Sequence, residues 1–143
     1  MADTKLIIPV SKNSFKVKVA EAFVPISNME SFEMSFEGNV ATWNPFELGG
    51  FQRAMKTGLA MSLSSDIKRE YGDAGNDAIA ETMWEIGQEA TKEFEWTMAD
   101  GTVVSFNAVI NVESIGGATT DVETMSVTFT VDGKPEIKEA GTP

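Results

Sequence analysis

Neither cysteine nor histidine occurs among the 143 residues of this chain. Without cysteine there is no disulfide, no thiolate metal site and no thiol nucleophile. Without histidine the commonest general base, the Ser–His couple and the usual zinc ligand all drop out. Cations are scarce as well. Eleven Lys and Arg face 22 Asp and Glu, a net charge of −11. Such a chain has no basic stripe with which to neutralise phosphates, so a grip on nucleic acid is excluded, although DNA can pass close by without adhering. Long apolar runs are missing too. The short run at residues 6–10 is broken by Pro9 and is too brief for a signal core or a membrane span. The expectation is a soluble protein made in a cytoplasm, with no cofactor, no metal and no membrane partner.

The length predicts a single domain, residues 1–143, large enough to bury roughly two thirds of its unfolded surface without covalent staples. One stretch reads as helix: residues 76–89, NDAIAETMWEIGQE. Ile79, Met83, Ile86 and Ala90 recur at helical spacing and form one apolar stripe, which predicts packing of Ile79, Met83 and Ile86 against a sheet. Asp73, Asn76 and Asp77 supply oxygens for the free amides at its start, and Gly87 is a plausible stop.

Almost everything else alternates with period two. Phe15, Val17 and Val19 alternate with Lys16 and Lys18. Phe32, Met34 and Phe36 oppose Glu33, Ser35 and Glu37, after which Gly38 and Asn39 suggest a tight turn and residues 40–43 a returning strand. Asn44-Pro45 ends it, and a loop at 46–51 carries two phenylalanines. Residues 53–68 read as one long strand with Met55, Leu59, Met61, Leu63 and Ile67 on one face. The other face is small and polar, with Ser62, Ser64 and Asp66.

After the helix, Phe94, Trp96 and Met98 lead to Asp100-Gly101, the preferred pair for a two-residue hairpin turn. Val104, Phe106, Ala108, Ile110 and Val112 follow on one face. Gly116-Gly117 breaks that strand. Met125, Val127, Phe129 and Val131 alternate with hydroxyls until residues 132–135 end the last strand. An N-terminal arm (about 1–14) and a C-terminal tail (about 136–143) are predicted to be flexible. The sum is six or seven strands and one helix. The fold class expected is mainly β: an antiparallel β-sandwich or partly closed barrel with one flanking α-helix.

The last third, KEFEWTMADGTVVSFNAVINVESIGGATTDVETMSVTFTVDGKPE, carries a resemblance. A hairpin, a long Asn-bearing strand, a glycine break and MSVTFTVDGKP before a polar tail resemble the end of tail tube proteins of long-tailed bacteriophages. The likeness extends over about residues 15–135 and includes the single helix ahead of the hairpin. It implies a structural virion protein whose copies form hexameric rings that stack into a hollow tube conducting DNA into the host. Partners would be the protein itself, tail-tip and terminator proteins, and DNA passing without specific binding. Assembly would take place in the bacterial cytoplasm. Glu33, Ser35, Glu37, Ser62, Ser64 and Asp66 are then candidates for the lumen, and Trp43, Phe46 and Phe51 for contacts between subunits.

Other readings stay open. A tail-terminator or baseplate ring protein would share the same plan. A carbohydrate-binding β-module would need an exposed aromatic platform, for which Trp43 is the remaining candidate once Trp96 and Trp84 are set beside apolar neighbours. Paired carboxylates can hydrolyse glycosides without histidine, but no cleft is evident. The Asp73–Asp77 region lacks the ligand spacing of a calcium loop and reads better as helix capping.

Overall fold

The computed structural model describes residues 7–139. Seven strands follow one another: β1 (Ser14–Val19), β2 (Ala22–Pro25), β3 (Met29–Trp43), β4 (Arg53–Lys68), β5 (Thr91–Thr97), β6 (Val103–Gly116) and β7 (Thr124–Lys138). One helix, α1 (Ala74–Glu81), lies between β4 and β5. All strands belong to one antiparallel sheet in the order β2-β1-β5-β6-β7-β4-β3.

The sheet curls back on itself. Phe15 of β1 and Phe32 of β3 belong to strands near opposite margins, yet their rings meet edge to face at 4.9 Å. Trp96 stacks on Phe15 at 5.8 Å, and its indole N–H donates to Asn13 Oδ1 at 3.0 Å. Inside lie Val17, Leu63, Ile67, Phe94, Phe106, Met125, Val127 and Phe129, all buried. These are the alternating apolar residues of their strands, so the partly closed mainly β architecture follows from the period-two pattern.

α1 covers the core beside β1, β2 and β6. Asp73 caps it by accepting from the Asn76 amide at 3.0 Å. The other two predicted caps do different work. Asn76 is fully buried and uses both ends of its carboxamide. It donates to the carbonyls of Ser27 (3.0 Å) and Lys68 (2.8 Å), and accepts from Arg69 Nη1 and the Glu70 amide. Asp77 pairs with Arg69 at 2.7 Å and accepts from the Gly72 amide. Asp73, Asn76 and Asp77 thus each accept a hydrogen bond at the start of the helix.

Four expectations are corrected. First, the helix stops after two turns. Thr82 donates back to the Ile79 carbonyl at 2.7 Å, a 3₁₀ turn takes Thr82–Trp84, and Glu85 and Ile86 are extended. Ile79 is buried and Met83 packs against the core, but Ile86 is 89% exposed. The seven-residue spacing from Ile79 to Ile86 matters only in a continuous helix. Second, Gly38 and Asn39 do not turn; β3 runs straight through them. The Lys56 side chain lies across Gly38, 2.8 Å from where a Cβ would stand. The turn lies instead at residues 44–52, where the 16-residue β4 offers β3 a partner along its whole length.

Third, Asp100-Gly101 sits in a five-residue loop, residues 98–102, closed by Met98 N–H to the Thr102 carbonyl at 2.7 Å. Gly101 has φ 96° but Asp100 has no positive φ, and a type I′ turn needs both. Fourth, residues 132–135 do not end β7. Gly133 (φ 90°) lies in an irregularity, and the strand resumes with Glu136, Ile137 and Lys138 paired to Ser105, Val104 and Val103. The expected arm and tail extend in part beyond the described residues. Within them, Val10–Lys12 form a 3₁₀ turn and β1 begins at Ser14.

Candidate functional site

The outward face of the sheet is hydroxyl and carboxylate. Register places Glu33 opposite Ser64, Ser35 opposite Ser62, and Glu37 opposite Ala60, with Asp66 opposite Ser31. All six predicted polar positions therefore share one face. β7 continues it, because Ser62, Ser64 and Asp66 pair with Thr130, Thr128 and Ser126. β6 adds Asn111 opposite Thr128, and Glu113 nearby. The alternation of Ser126, Thr128 and Thr130 is visible in the sequence. Their position beside β4 is not, since about sixty residues separate the two strands.

Carboxylates here are held by hydroxyls. Ser126 Oγ donates to Asp66 Oδ1 at 3.1 Å, and Thr128 Oγ1 donates to Glu113 Oε2 at 2.9 Å. Glu33, Asp66 and Glu113 line one shallow depression together with Ser31, Ser64, Ser126 and Thr128. No lysine or arginine lines it. Toward β1 the balance changes. Lys16 lies opposite Glu95, and Lys18 reaches Glu93 at 3.5 Å. At the end of β4, Lys68 pairs with Glu30 at 3.2 Å, whereas the carboxylates of the depression have no cation beside them among the described residues.

The second feature is an arm. β4 pairs with β7 only from Ser62 to Lys68. From Phe36 and Met61 outward, β3 and β4 pair only with each other. The eight residues from Phe36 to Trp43 carry the hairpin about 25 Å beyond the body. A bulge gives β4 one extra residue, Thr57, opposite the step from Asn39 to Val40. It is pinned from both sides: Asn39 Nδ2 donates to Thr57 Oγ1 at 2.8 Å, which donates to the Asn39 carbonyl. The bulge reverses the alternation. Leu59 stays on the face of Phe36, whereas Met55 moves to the face of Trp43, so Met55 does not share a face with Leu59 as the sequence suggested.

The arm ends in exposed aromatics. Phe46 is fully exposed and Phe51 is 76% exposed, with Trp43 below them under the Arg53 guanidinium at 5.9 Å. A two-stranded ribbon is marginal in water by itself, and this one leaves its apolar side chains uncovered. β3 is also a sheet margin fifteen residues long, with its outer backbone groups unpaired.

Nothing in these features is catalytic chemistry. Among the described residues no cluster of three acidic side chains is placed to hold a metal, and no helix is long and apolar enough to cross a membrane. The perturbed groups serve structure. Arg69 holds the Asp77 carboxyl below its usual range, and the Thr102 amide does the same for Asp100. The hydrogen bond to Glu123 raises the Tyr71 phenol.

No protein-family model and no curated protein sequence matches this chain. Solved structures do. A chain from the tail of an empty gene transfer agent (GTA) particle, determined by helical refinement with C6 symmetry, superposes with a TM-score of 0.79 at 13% identity. The match covers 93% of this chain and all of that one. A chain from the virion of the native GTA particle gives 0.73 at 14% identity, with the same coverage. This chain thus has the fold of those tail and virion chains over nearly its whole length.

Proposed function

We propose that this chain is the tube subunit of a phage-like tail. Copies associate in sixfold rings, the rings stack, and the tube forms part of a virion after assembly in the bacterial cytoplasm. The carrying observation is the superposition of 93% of this chain on a chain of a GTA tail refined with C6 symmetry. The uncovered arm and the long open margin of β3 support it, because a lone molecule leaves both unsatisfied. The role is structural rather than enzymatic.

In this reading the polar face lines the bore. Glu33, Ser35, Glu37, Ser62, Ser64 and Asp66 face the lumen, joined by Ser126, Thr128 and Glu113. DNA moves past such a wall without exchanging counterions for lysine contacts, so transit breaks no phosphate–ammonium pairs. Trp43, Phe46 and Phe51 bridge one ring to the next. Tail-tip and terminator proteins close the two ends.

Negative-stain microscopy of purified protein, alone and with tail-tip seeds, tests the proposal. Hollow tubes are expected. Isolated rings would favour a terminator or baseplate ring protein of the same architecture. Protein that stays monomeric even with seeds overturns the assembly reading. For the carbohydrate-binding alternative, Trp43 carries the Arg53 guanidinium 5.9 Å from its ring centroid, and Trp84, set beside apolar neighbours on the sequence, is instead exposed; glycan binding by the monomer would favour that reading.

A further inference from the structure

The turn after α1 exposes a second apolar patch, far from the arm. Trp84 is 86% exposed and Ile86 is 89% exposed, side by side on the chain between α1 and β5. Two neighbouring, nearly naked large apolar residues are unusual on a surface this acidic. The segment that carries them is acidic; among the described residues, its Asp77 alone is paired to a cation, Arg69. Residues 73–90 carry Asp73, Asp77, Glu81, Glu85 and Glu89 and no lysine or arginine. The arm tip leans the other way: Phe46, Leu48 and Phe51 are exposed, and its one carboxylate, Glu47, is outnumbered by Arg53 and Lys56.

Plug and socket of one chain cannot meet. α1 is anchored at its start to the Lys68 carbonyl, the last residue of β4. Along β4 the tip at Arg53 lies about 50 Å away. α1 and its following turn together reach no more than about 16 Å from that anchor. The two patches therefore differ, complement each other and point to opposite ends of the molecule. Such a pair makes a head-to-tail contact between copies, which propagates instead of closing on a dimer.

We propose that the acidic turn bearing Trp84 and Ile86 is the socket for the arm tip of a second copy. Phe46 and Phe51 seat against Trp84 and Ile86, and Arg53 faces Glu85. This inference rests on the tube reading and names the partner site within it. It also places the turn at a contact between rings, where neither an enclosing sheath nor solvent would cover it.

The absence of native cysteine makes the test clean. Single-cysteine variants Phe51→Cys and Ile86→Cys are mixed, assembled into tubes and oxidised. A disulfide-linked pair is expected in the mixture and in neither variant alone. In parallel, Arg53→Glu and Glu85→Arg are each expected to slow tube elongation at least ten-fold, and the double variant to restore it. Phe51, Arg53 and Ile86 are exposed and Glu85 is half-buried, so thermal melting of each variant checks that folding is unchanged. If wild-type protein forms tubes but the cross-link is missing and both charge variants elongate normally, the socket is overturned while the tube reading stands. If Trp84 stays solvent-quenchable in tubes, the patch serves another protein and the socket likewise fails. If wild-type protein makes no tubes even with seeds, the tube reading itself fails.

Discussion

Gly75 packs so closely on Pro25 that a Cβ added to it would stand 2.2 Å from the Pro25 carbonyl oxygen. In an ordinary helix Gly→Ala is stabilising by about 0.8–1 kcal/mol. Here the sign reverses, because the methyl would push α1 off the β2–β3 connection. Gly75→Ala should destabilise by about 1–3 kcal/mol. Urea titration checks this; an unchanged or higher midpoint would show that α1 can move freely at that point.

Asn76 ties the start of α1 to the end of β4 and to the β2–β3 connection, 49 residues earlier. Its buried carboxamide makes hydrogen bonds to Ser27, Lys68, Arg69 and Glu70. Asn76→Ala strips partners from two carbonyls and an amide at once, and a loss of about 2–4 kcal/mol is expected. Asn76→Asp should fare little better, since a carboxylate cannot donate to the two carbonyls. A melting temperature within a degree of wild type for both variants would refute this account.

Asp77 links stability to pH. Its hydrogen bond from Arg69 keeps the carboxyl below the ordinary carboxylate value in the folded chain. The unfolded chain therefore binds the proton more readily. The contribution is present above the unfolded value and is lost as pH falls through the folded one. Wild type should exceed Asp77→Asn in urea midpoint at pH 7, and the gap should close below about pH 4. A gap constant across that range would remove Asp77 from the acid response.

The β1–β2 turn is built from the wrong residues for its shape. Ala20 (φ 50°) and Glu21 (φ 74°) both adopt left-handed backbone, and Val19 pairs directly with Ala22 across them. Asn-Gly suits such a turn without a Cβ penalty. Ala20→Asn with Glu21→Gly should stabilise the chain by about 1–2 kcal/mol. Calorimetry reads it as a rise of a few degrees; a fall would mean that Glu21 does more than turn the chain.

The polar face gives a test of the bore. Tubes carrying Ser64→Lys and Asp66→Lys should retain DNA fragments that wild-type tubes release, and should let them go as salt is raised. Equal release from both would place this face away from the lumen.

Periodicity is legible along the strands, except across the bulge at Thr57, because it is a property of the local backbone. Residues 53–68 alternate and form β4 over that same span, and the break at Gly116 ends β6. The six polar candidates share a face for the same reason. Helix length was misjudged because spacing shows where apolar residues would meet, not whether Thr82 and Gly87 let the helix continue. The Gly38–Asn39 pair carried a turn signal that lost to a longer partner.

What the sequence determined alone is therefore the character of each strand face. Tertiary structure decided which faces adjoin, where the arm begins, and which apolar residues are left bare. Pairing of β4 with β7, closure of Phe15 on Phe32, and the bulge at Thr57 all depend on contacts between distant residues. Each is chosen by the total ladder and core that the whole chain can form at once, a quantity no local window contains.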